Sequence, residues 1–345
     1  MGTCDRPLIV RCGAFGDMVL LTPLIRDLQQ KFRLPVDILT SGAWSLPLLE
    51  GQPGVGEIIS VRSRKTPYWL APDQRHAVAR LRLRGVGPTW YCDGNDAAKS
   101  MLVRAGFIAS NIVDVADYPL LPREHVIEQW HRLAHSGSPI MGCQLQVSNV
   151  QQRDLDNWLA AHAMGATPLI VVQVGNKRTM RRGLRRLAVN TKYWPVERWA
   201  TVLQHVRQAC PSHAIALLGT RPEYALNQEV ASAANVDRLY NLADDLPIPR
   251  LIALLARAAA LITVDSGPAH AAAAVGCPQV VLFGKASPAL YRPWGYTDAD
   301  VAVLTGQIDG ESNMLGISVQ DVIRAWAGIR LRAAYPVSPA QCLGG

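Results

Sequence analysis

The chain has 345 residues, 49% of them hydrophobic and 18% charged, with a formal net charge of +8. This composition excludes a disordered or low-complexity protein, and the length allows two domains that each bury a core. No apolar run is long enough to span a bilayer, and the first residues enter a strand without a signal peptide, so we expect a cytoplasmic protein.

The elements predicted along the chain alternate between strands and helices. In the first half an amphipathic helix is predicted over 18–32, and strands are predicted over 8–12, 36–39, 58–61 and 89–92. After a break at 165–168, further helices are predicted over 196–209 and 269–275, and strands over 169–174, 214–218, 261–264 and 279–283. Such alternation is typical of doubly wound parallel sheets.

This pattern predicts an α/β protein with two Rossmann-like domains. We assign an amino-terminal domain to 1–165 and a carboxy-terminal domain to 166–318. A last helix and tail, over 319–345, are predicted to cross back to the first domain.

Residues 261–284, LITVDSGPAHAAAAVGCPQVVLFG, predict a phosphate site. A strand ends at Asp265, and a helix follows whose free N–H groups and positive dipole end attract an anion. Ser266 adds a hydroxyl, and Gly267 lets a phosphate approach the backbone. The alternative is that Asp265 and Ser266 only cap the helix. The next strand favours the phosphate site, because parallel strands deliver their polar loops to one sheet edge.

The loop after the first strand, 13–17, is glycine-rich but is not a dinucleotide-binding fingerprint. It ends in Asp17, which either caps the following helix or acts as a general base that takes the proton from an attacking hydroxyl. Lys192 lies just before a helix in the second half, where it is placed to neutralise a phosphate leaving group.

Cations are concentrated in two segments. The loop over 177–186 is dense in arginine and lysine, but no aromatic residues alternate with the charges, which argues against nucleic acid. The other segment suits a membrane-bound acidic acceptor, and its cations are Arg62, Arg64 and Lys65, followed by Tyr68 and Trp69 and by Arg80, Arg82 and Arg84.

Metal and cofactor motifs are weak. Glu128, His131 and His135 have helical spacing, but neither HExxH nor a further ligand accompanies them. Asp154 and Asp156 form a DxD triplet, which we interpret as capping at the start of a helix. The cysteines show no CxxC pair, so we expect reduced thiols. No metal and no cofactor are predicted.

Several segments together resemble glycosyltransferase family 9, the heptosyltransferases. They are GAFGDMVLLTPLIRDL, KYWPVERWATVL, IALLGTRPEYAL and VDSGPAHAAAAVGCPQVVLFGKASPALYRPWG. VRSRKTPYWLAPDQRHAV and CDGNDAAKSMLVRAG resemble the heptosyltransferase I branch, which adds the first heptose to the Kdo region of lipopolysaccharide. The resemblance implies a GT-B fold, two Rossmann-like domains facing across a cleft, and metal-independent inverting transfer from ADP-L-glycero-D-manno-heptose.

The resemblance also implies roles for individual residues. Asp17 becomes the catalytic aspartate and Lys192 the lysine that neutralises the phosphates. The other donor-binding residues are Glu223, expected at the ribose, and Asp265, Ser266, Gly267 and His270. We expect Arg62, Arg64 and Lys65 to bind lipid A-Kdo or the inner core at the inner leaflet of the cytoplasmic membrane, where the protein would be peripheral.

Two alternatives remain. A related transferase would use another nucleotide sugar, or would modify a protein or a small molecule. A protein of another class would bind a sugar nucleotide or nucleic acid without catalysis. Asp17 argues against the last, because a binding protein needs no carboxylate base.

Overall fold

The structure is a computed structural model that describes residues 2–62, 66–94, 96–165, 167–176 and 192–333. The chain divides into two compact units, Met1–Gln146 with Ala289–Arg292, and Val147–Pro288 with Pro293–Gly345. The second unit thus takes in a helix that lies before residue 166. None of the helices in the described part of the chain has both the length and the apolar character that crossing a membrane requires.

The first unit contains a parallel five-stranded sheet with the order β3-β2-β1-β4-β5. The strands are β1 (Leu8–Val10), β2 (Val36–Ser41), β3 (Val55–Val61), β4 (Thr89–Tyr91) and β5 (Ile112–Asp114). The helices are α1 (Phe15–Val19), α2 (Thr22–Phe32), α3 (Ser45–Leu49), α4 (Pro72–Arg84), α5 (Asp96–Arg104) and α6 (Val126–Ala134). β1 is wholly buried and wholly apolar, as a central strand covered on both faces must be.

The single helix predicted over 18–32 is two helices in the structure. Pro23 explains the break, because it has no N–H to donate to the carbonyl of Val19 four residues earlier. The Thr22 hydroxyl donates to that carbonyl instead, at 2.9 Å. α1 is therefore an independent short helix, and it carries Asp17.

The second unit contains a parallel six-stranded sheet with the order β11-β10-β9-β6-β7-β8. The strands are β6 (Leu169–Gln173), β7 (Ala214–Leu217), β8 (Leu239–Asn241), β9 (Ala260–Val264), β10 (Gln279–Phe283) and β11 (Val301–Thr305). A small antiparallel pair, β12 (Gln307–Ile308) and β13 (Glu311–Ser312), follows. The helices are α7 (Asn149–Ala161), α8 (Val196–Ala209), α9 (Tyr224–Ala234), α10 (Ile248–Arg257), α11 (Gly267–Ala274), α12 (Pro288–Tyr291, mostly in the first unit) and α13 (Val319–Gly328).

The last helix, which was predicted to cross back to the first domain, is assigned to the second unit. Val322 and Trp326 of α13 are buried in the same apolar cluster as Trp194 and Trp199. The Trp194 indole N–H donates to the carbonyl of Ile317 at 3.1 Å, just before α13. The apolar face of α13 is therefore part of the core of the second unit.

Candidate functional site

Asp17 lies in the first turn of α1, directly after the glycine-rich loop that follows β1. Its Oδ2 accepts a hydrogen bond from the Ala14 backbone N–H at 2.8 Å, and its Oδ1 lies 3.3 Å from Nη2 of Arg11. The side chain is nevertheless 37% exposed. Asp17 does cap α1, by reaching back to Ala14 at the N-cap. The same contacts hold an accessible carboxylate in one orientation, which suits a general base.

Arg11 is a site residue that the sequence did not reveal. It follows β1, and its Nη1 donates to the Cys92 carbonyl, just after β4, at 2.6 Å. Its guanidinium also lies 5.8 Å from the centroid of the Trp130 ring. Because β1 and β4 are neighbours in the sheet, the Cys92 contact comes from the edge that carries the Asp17 loop, whereas Trp130 reaches Arg11 from α6. The sequence did contain one indication of this role, because Arg11 directly follows a buried apolar strand.

The second unit brings Lys192 and Asp265 together. The Lys192 ammonium lies 2.5 Å from Oδ2 of Asp265 and donates to its backbone carbonyl at 3.0 Å. Asp265 follows β9, and its side chain is 8% exposed against 24% for Lys192. A nearly buried carboxylate therefore holds the ammonium beside the turn that begins α11.

Ser266 is the N-cap residue of α11, but its side chain makes no capping hydrogen bond. Its hydroxyl lies 3.1 Å from that of Thr263, on β9. The alternative in which Ser266 caps the helix through its side chain is therefore not realised. Gly267 begins α11, and His270 is buried in its second turn. The predicted turn residues thus share one strand–helix junction with Lys192.

Glu223 is only 3% exposed and accepts several hydrogen bonds. Its Oε2 accepts from the backbone N–H and the hydroxyl of Thr220, at 2.8 and 2.7 Å. Its Oε1 accepts from Nε2 of Gln173 at 3.2 Å. Gln173 ends β6 and is paired in register with Thr263 on β9. Glu223 is thus linked through Gln173 to the strand that ends at the donor turn.

The predicted basic segment of the first unit is only partly described. Arg64 and Lys65, like the loop over 177–186, lie outside the described residues. Arg62 follows β3, and its backbone N–H donates to Oδ2 of Asp73 at 2.7 Å. Tyr68 lies under the guanidinium of Arg104, 4.3 Å from its ring centroid.

The DxD aspartates do not cap a helix, so that prediction was wrong. α7 begins at Asn149 and is capped by the Ser148 hydroxyl, which leaves both aspartates inside the helix. Asp154 pairs with Arg250 at 2.8 Å, and Asp156 with Arg257. The hydrogen bond from Arg250 holds the pKa of Asp154 below its usual value. These arginines occupy the carboxylates that a metal would need.

Glu128, His131 and His135, the residues with helical metal-site spacing, each have a hydrogen-bonding partner in the structure. Nδ1 of His131 lies 2.9 Å from Oδ2 of Asp27, and Nε2 of His135 lies 2.9 Å from the Tyr118 hydroxyl. Glu128 accepts from the His125 backbone N–H at 2.6 Å. Across the described ranges, no group of three or more His, Cys, Asp or Glu side chains is arranged to hold a metal ion.

Sequence comparisons place the chain among known proteins. The model of glycosyltransferase family 9 (heptosyltransferase) matches residues 117–310. Lipopolysaccharide heptosyltransferase 2 of Escherichia coli (strain K12) is 22% identical over 326 residues, which cover 87% of this chain and 88% of that protein. Lipopolysaccharide heptosyltransferase 3 of Escherichia coli is 22% identical, over 81% of this chain and 83% of that protein.

Solved structures share the fold. The glycosyl transferase family 9 protein from Veillonella parvula superposes with a TM-score of 0.78 at 18% identity, covering 94% of this chain and 96% of that one. E. coli ADP-heptose lps heptosyltransferase II gives 0.72 at 20% identity, with coverage of 93% and 97%. E. coli heptosyltransferase WaaC with ADP gives 0.70 at 17% identity, with coverage of 93% and 99%. With its two parallel sheets, the chain has the GT-B fold.

Proposed function

The chain belongs to glycosyltransferase family 9, the heptosyltransferase family, and from this premise we propose that it moves L-glycero-D-manno-heptose from ADP-heptose to the Kdo or inner-core region of lipopolysaccharide. The acceptor is supported by two relatives that this chain matches over most of their length, both of them lipopolysaccharide heptosyltransferases. The donor is supported by WaaC, a structural relative solved with ADP and with ADP-2-deoxy-2-fluoro heptose.

The observation that carries the proposal is the arrangement around Asp17. Two donors, the Ala14 N–H and Arg11, orient the carboxylate, and about a third of the side chain remains exposed. In the proposed step Asp17 takes the proton of an acceptor hydroxyl while that oxygen bonds to the anomeric carbon of the heptose. The bond between this carbon and the phosphate oxygen breaks, and ADP leaves with the electron pair. Attack opposite the leaving group inverts the anomeric centre.

Lys192 is proposed to stabilise the departing diphosphate. Its ammonium lies at the turn where α11 begins, so the helix dipole and the Ser266 hydroxyl add to its attraction for an anion. Gly267 and His270 line the same junction, and Glu223 is assigned to the ribose. Asp265 holds the ammonium in place until the donor arrives. This positive charge replaces a metal ion, so we propose transfer without metal or cofactor.

The acceptor is proposed to reach the enzyme at the inner leaflet of the cytoplasmic membrane, where the protein is peripheral. Arg62 is exposed after β3, in the unit that carries Asp17. It is proposed to bind the acidic groups of lipid A-Kdo together with Arg64 and Lys65. Charge-assisted hydrogen bonds to such groups are worth about 1.5–3 kcal/mol each. Replacing Arg64 and Lys65 with Ala should raise the acceptor KM about tenfold or more, with little change in the donor KM.

The test begins with Asp17→Asn, assayed with ADP-heptose and heptose-free lipopolysaccharide. We expect kcat to fall about 10²–10⁴-fold, the usual contribution of general-base catalysis, while ADP-heptose binding stays within about twofold. Asp117→Asn is the matched control, an exposed aspartate of the same unit, and should keep normal turnover.

Two outcomes would contradict the proposal. If Asp17→Asn turns over within a few-fold of the wild type, Asp17 is not the base. If mass spectrometry of the products from a panel of nucleotide sugars shows transfer from a different sugar only, the donor assignment fails.

A further inference from the structure

The first unit exposes large apolar side chains beside arginines on one stretch of its surface. Trp69 is 73% exposed, Leu70 55%, Leu83 83% and Val103 66%. Arg75, Arg82 and Arg104 are also exposed. We call these residues together the basic–apolar surface.

Hydrogen bonds and ring contacts join these residues across three elements. Nη1 of Arg75, on α4, donates to the Trp69 carbonyl at 2.6 Å. Nη2 of Arg82, near the end of α4, donates to the Arg104 carbonyl at the end of α5 at 2.7 Å. The Arg104 guanidinium in turn covers the ring of Tyr68, next to Trp69. The surface is therefore continuous from the turn at Tyr68–Leu70 to the ends of α4 and α5.

The cations of this surface differ from the other arginines of α4. Arg80 lies 2.6 Å from Oε1 of Glu57, and Arg84 is buried against Asp37 at 2.7 Å. In contrast, Arg75 and Arg82 donate to backbone carbonyls, and the guanidinium of Arg104 lies over an aromatic ring. Within the described ranges none of these three forms an ion pair, so no acidic side chain there neutralises their charge.

We infer that the basic–apolar surface docks this enzyme on a bilayer that contains anionic phospholipids. Arginines near such a surface are attracted by its negative potential, and an exposed Trp favours the depth of the lipid headgroups. Leu83 and Val103 add apolar area next to Arg82 and Arg104, the combination that interfacial segments use. An anionic lipid bilayer is the partner that fits both the exposed apolar side chains and the arginines. A purely apolar partner would not require the positive charge. The inference rests on the proposed function, since a lipid-anchored acceptor requires the enzyme at the membrane.

The test is co-sedimentation of the full chain with vesicles of phosphatidylcholine alone or with about 30% phosphatidylglycerol, an anionic lipid that gives the vesicle a negative surface potential. The wild type should bind the mixed vesicles much more tightly, and less so in high salt. Arg75→Gln with Arg82→Gln and Arg104→Gln keeps donors for the carbonyls but should weaken binding about one hundredfold, from about fivefold for each charge. Arg80→Gln, on the same helix but paired with Glu57, should bind nearly as the wild type does.

The apolar part is tested with Leu83→Asn and Val103→Asn together. These changes should weaken binding about tenfold or more, whereas Val150→Asn, at an equally exposed valine of the second unit (67%), should not. Equal binding to both vesicle types, or equal losses in Arg80→Gln and the triple variant, would overturn the inference. Dimerisation that is lost with these variants, without vesicle binding, would also overturn it and would assign the surface to a second copy.

A separate assay distinguishes this inference from the proposed function. Transfer from ADP-heptose to a water-soluble Kdo oligosaccharide needs no bilayer, so the triple variant should keep it. Vesicle binding without transfer would reject the proposed function but support membrane docking by the basic–apolar surface. Transfer without vesicle binding would support the proposed function but reject membrane docking by this surface.

Discussion

A Cβ atom added to Gly13 would lie 2.4 Å from the Cβ atom of Asp17. The glycine thus leaves the space through which the Asp17 side chain turns back to the Ala14 N–H. The clash would be with an atom attached directly to the backbone, so rotation about χ1 of Asp17 cannot relieve it. The loop that leaves β1 is therefore shaped around the carboxylate.

Gly13→Ala should consequently reduce transfer with little loss of donor affinity. A displacement of about 1 Å in a reacting group costs about 10²-fold in rate, so we expect kcat to fall by about tenfold to one hundredfold. Gly94→Ala is the control, because an added Cβ there meets nothing within 4 Å. Steady-state kinetics on both variants checks this, with circular dichroism to establish that they fold. Normal turnover in Gly13→Ala would show that the position of Asp17 is not critical.

The ion pair of Lys192 and Asp265 predicts energetic coupling. Lys192→Met leaves a nearly buried carboxylate without its cation, which should lower the free energy of unfolding by about 1–3 kcal/mol. The double variant Lys192→Met with Asp265→Asn should lose less than the sum of the single variants, because neighbouring partners couple by about 0.5–3 kcal/mol. Urea denaturation measures all four proteins.

A comparison pair sharpens the measurement of that coupling. Lys99 and Asp114 are also 2.5 Å apart, but the Lys99 side chain is 41% exposed. Exposed pairs typically couple by about 0.2–1 kcal/mol, so the same cycle should give a smaller value there. Strictly additive losses at Lys192 and Asp265 would mean that the pair contributes nothing to stability.

Activity should survive EDTA. Lys192 and the amino-terminal end of α11 supply the positive charge that the departing diphosphate needs. Asp154→Asn should likewise leave kcat unchanged, because Arg250 already occupies that carboxylate. The assay compares rates with and without chelator, and a loss that magnesium or manganese restores would refute the prediction.

His125 should make stability depend on pH. Burial lowers its pKa below 6.5, and the neutral ring accepts from the Ile127 N–H at Nδ1 while Nε2 lies 2.9 Å from the Arg292 carbonyl. As the pH falls below about 6.5, the unfolded chain takes up a proton that the folded chain does not, so the free energy of unfolding decreases toward acid. The decrease continues until the pH reaches the lowered pKa of the folded state.

Urea denaturation at about pH 7, 6 and 5 measures this dependence against the ordinary pKa of histidine. His125→Asn keeps a capping side chain but does not titrate, so its stability should change less over that range. His213 also has a lowered pKa, caused first by burial, but it is present in both proteins and cancels in the difference. Identical pH dependence in the two proteins would exclude His125 as the cause.

The local sequence pattern was sufficient to predict many of the helices and strands. The strand over Gln279–Phe283 and the helix over Val196–Ala209 have the predicted bounds, because apolar runs and helical periodicity are properties of neighbouring residues. The division into two α/β halves followed from the same alternation. The break before α2 also has a local cause, because Pro23 lies within the predicted helix and cannot donate to the carbonyl of Val19.

What the sequence alone determined is therefore the order of the elements, the two parallel sheets and the types of side chain at the ends of their strands. Only the tertiary structure paired Lys192 with Asp265, 73 positions later, and set Arg11 against Asp17. It also separated arginines that look alike in sequence, because it paired Arg80 with Glu57 and set Arg82 against the backbone carbonyl of Arg104. The reason is that a helix turns 100° per residue, so the partners of each side chain depend on which distant element packs against that face.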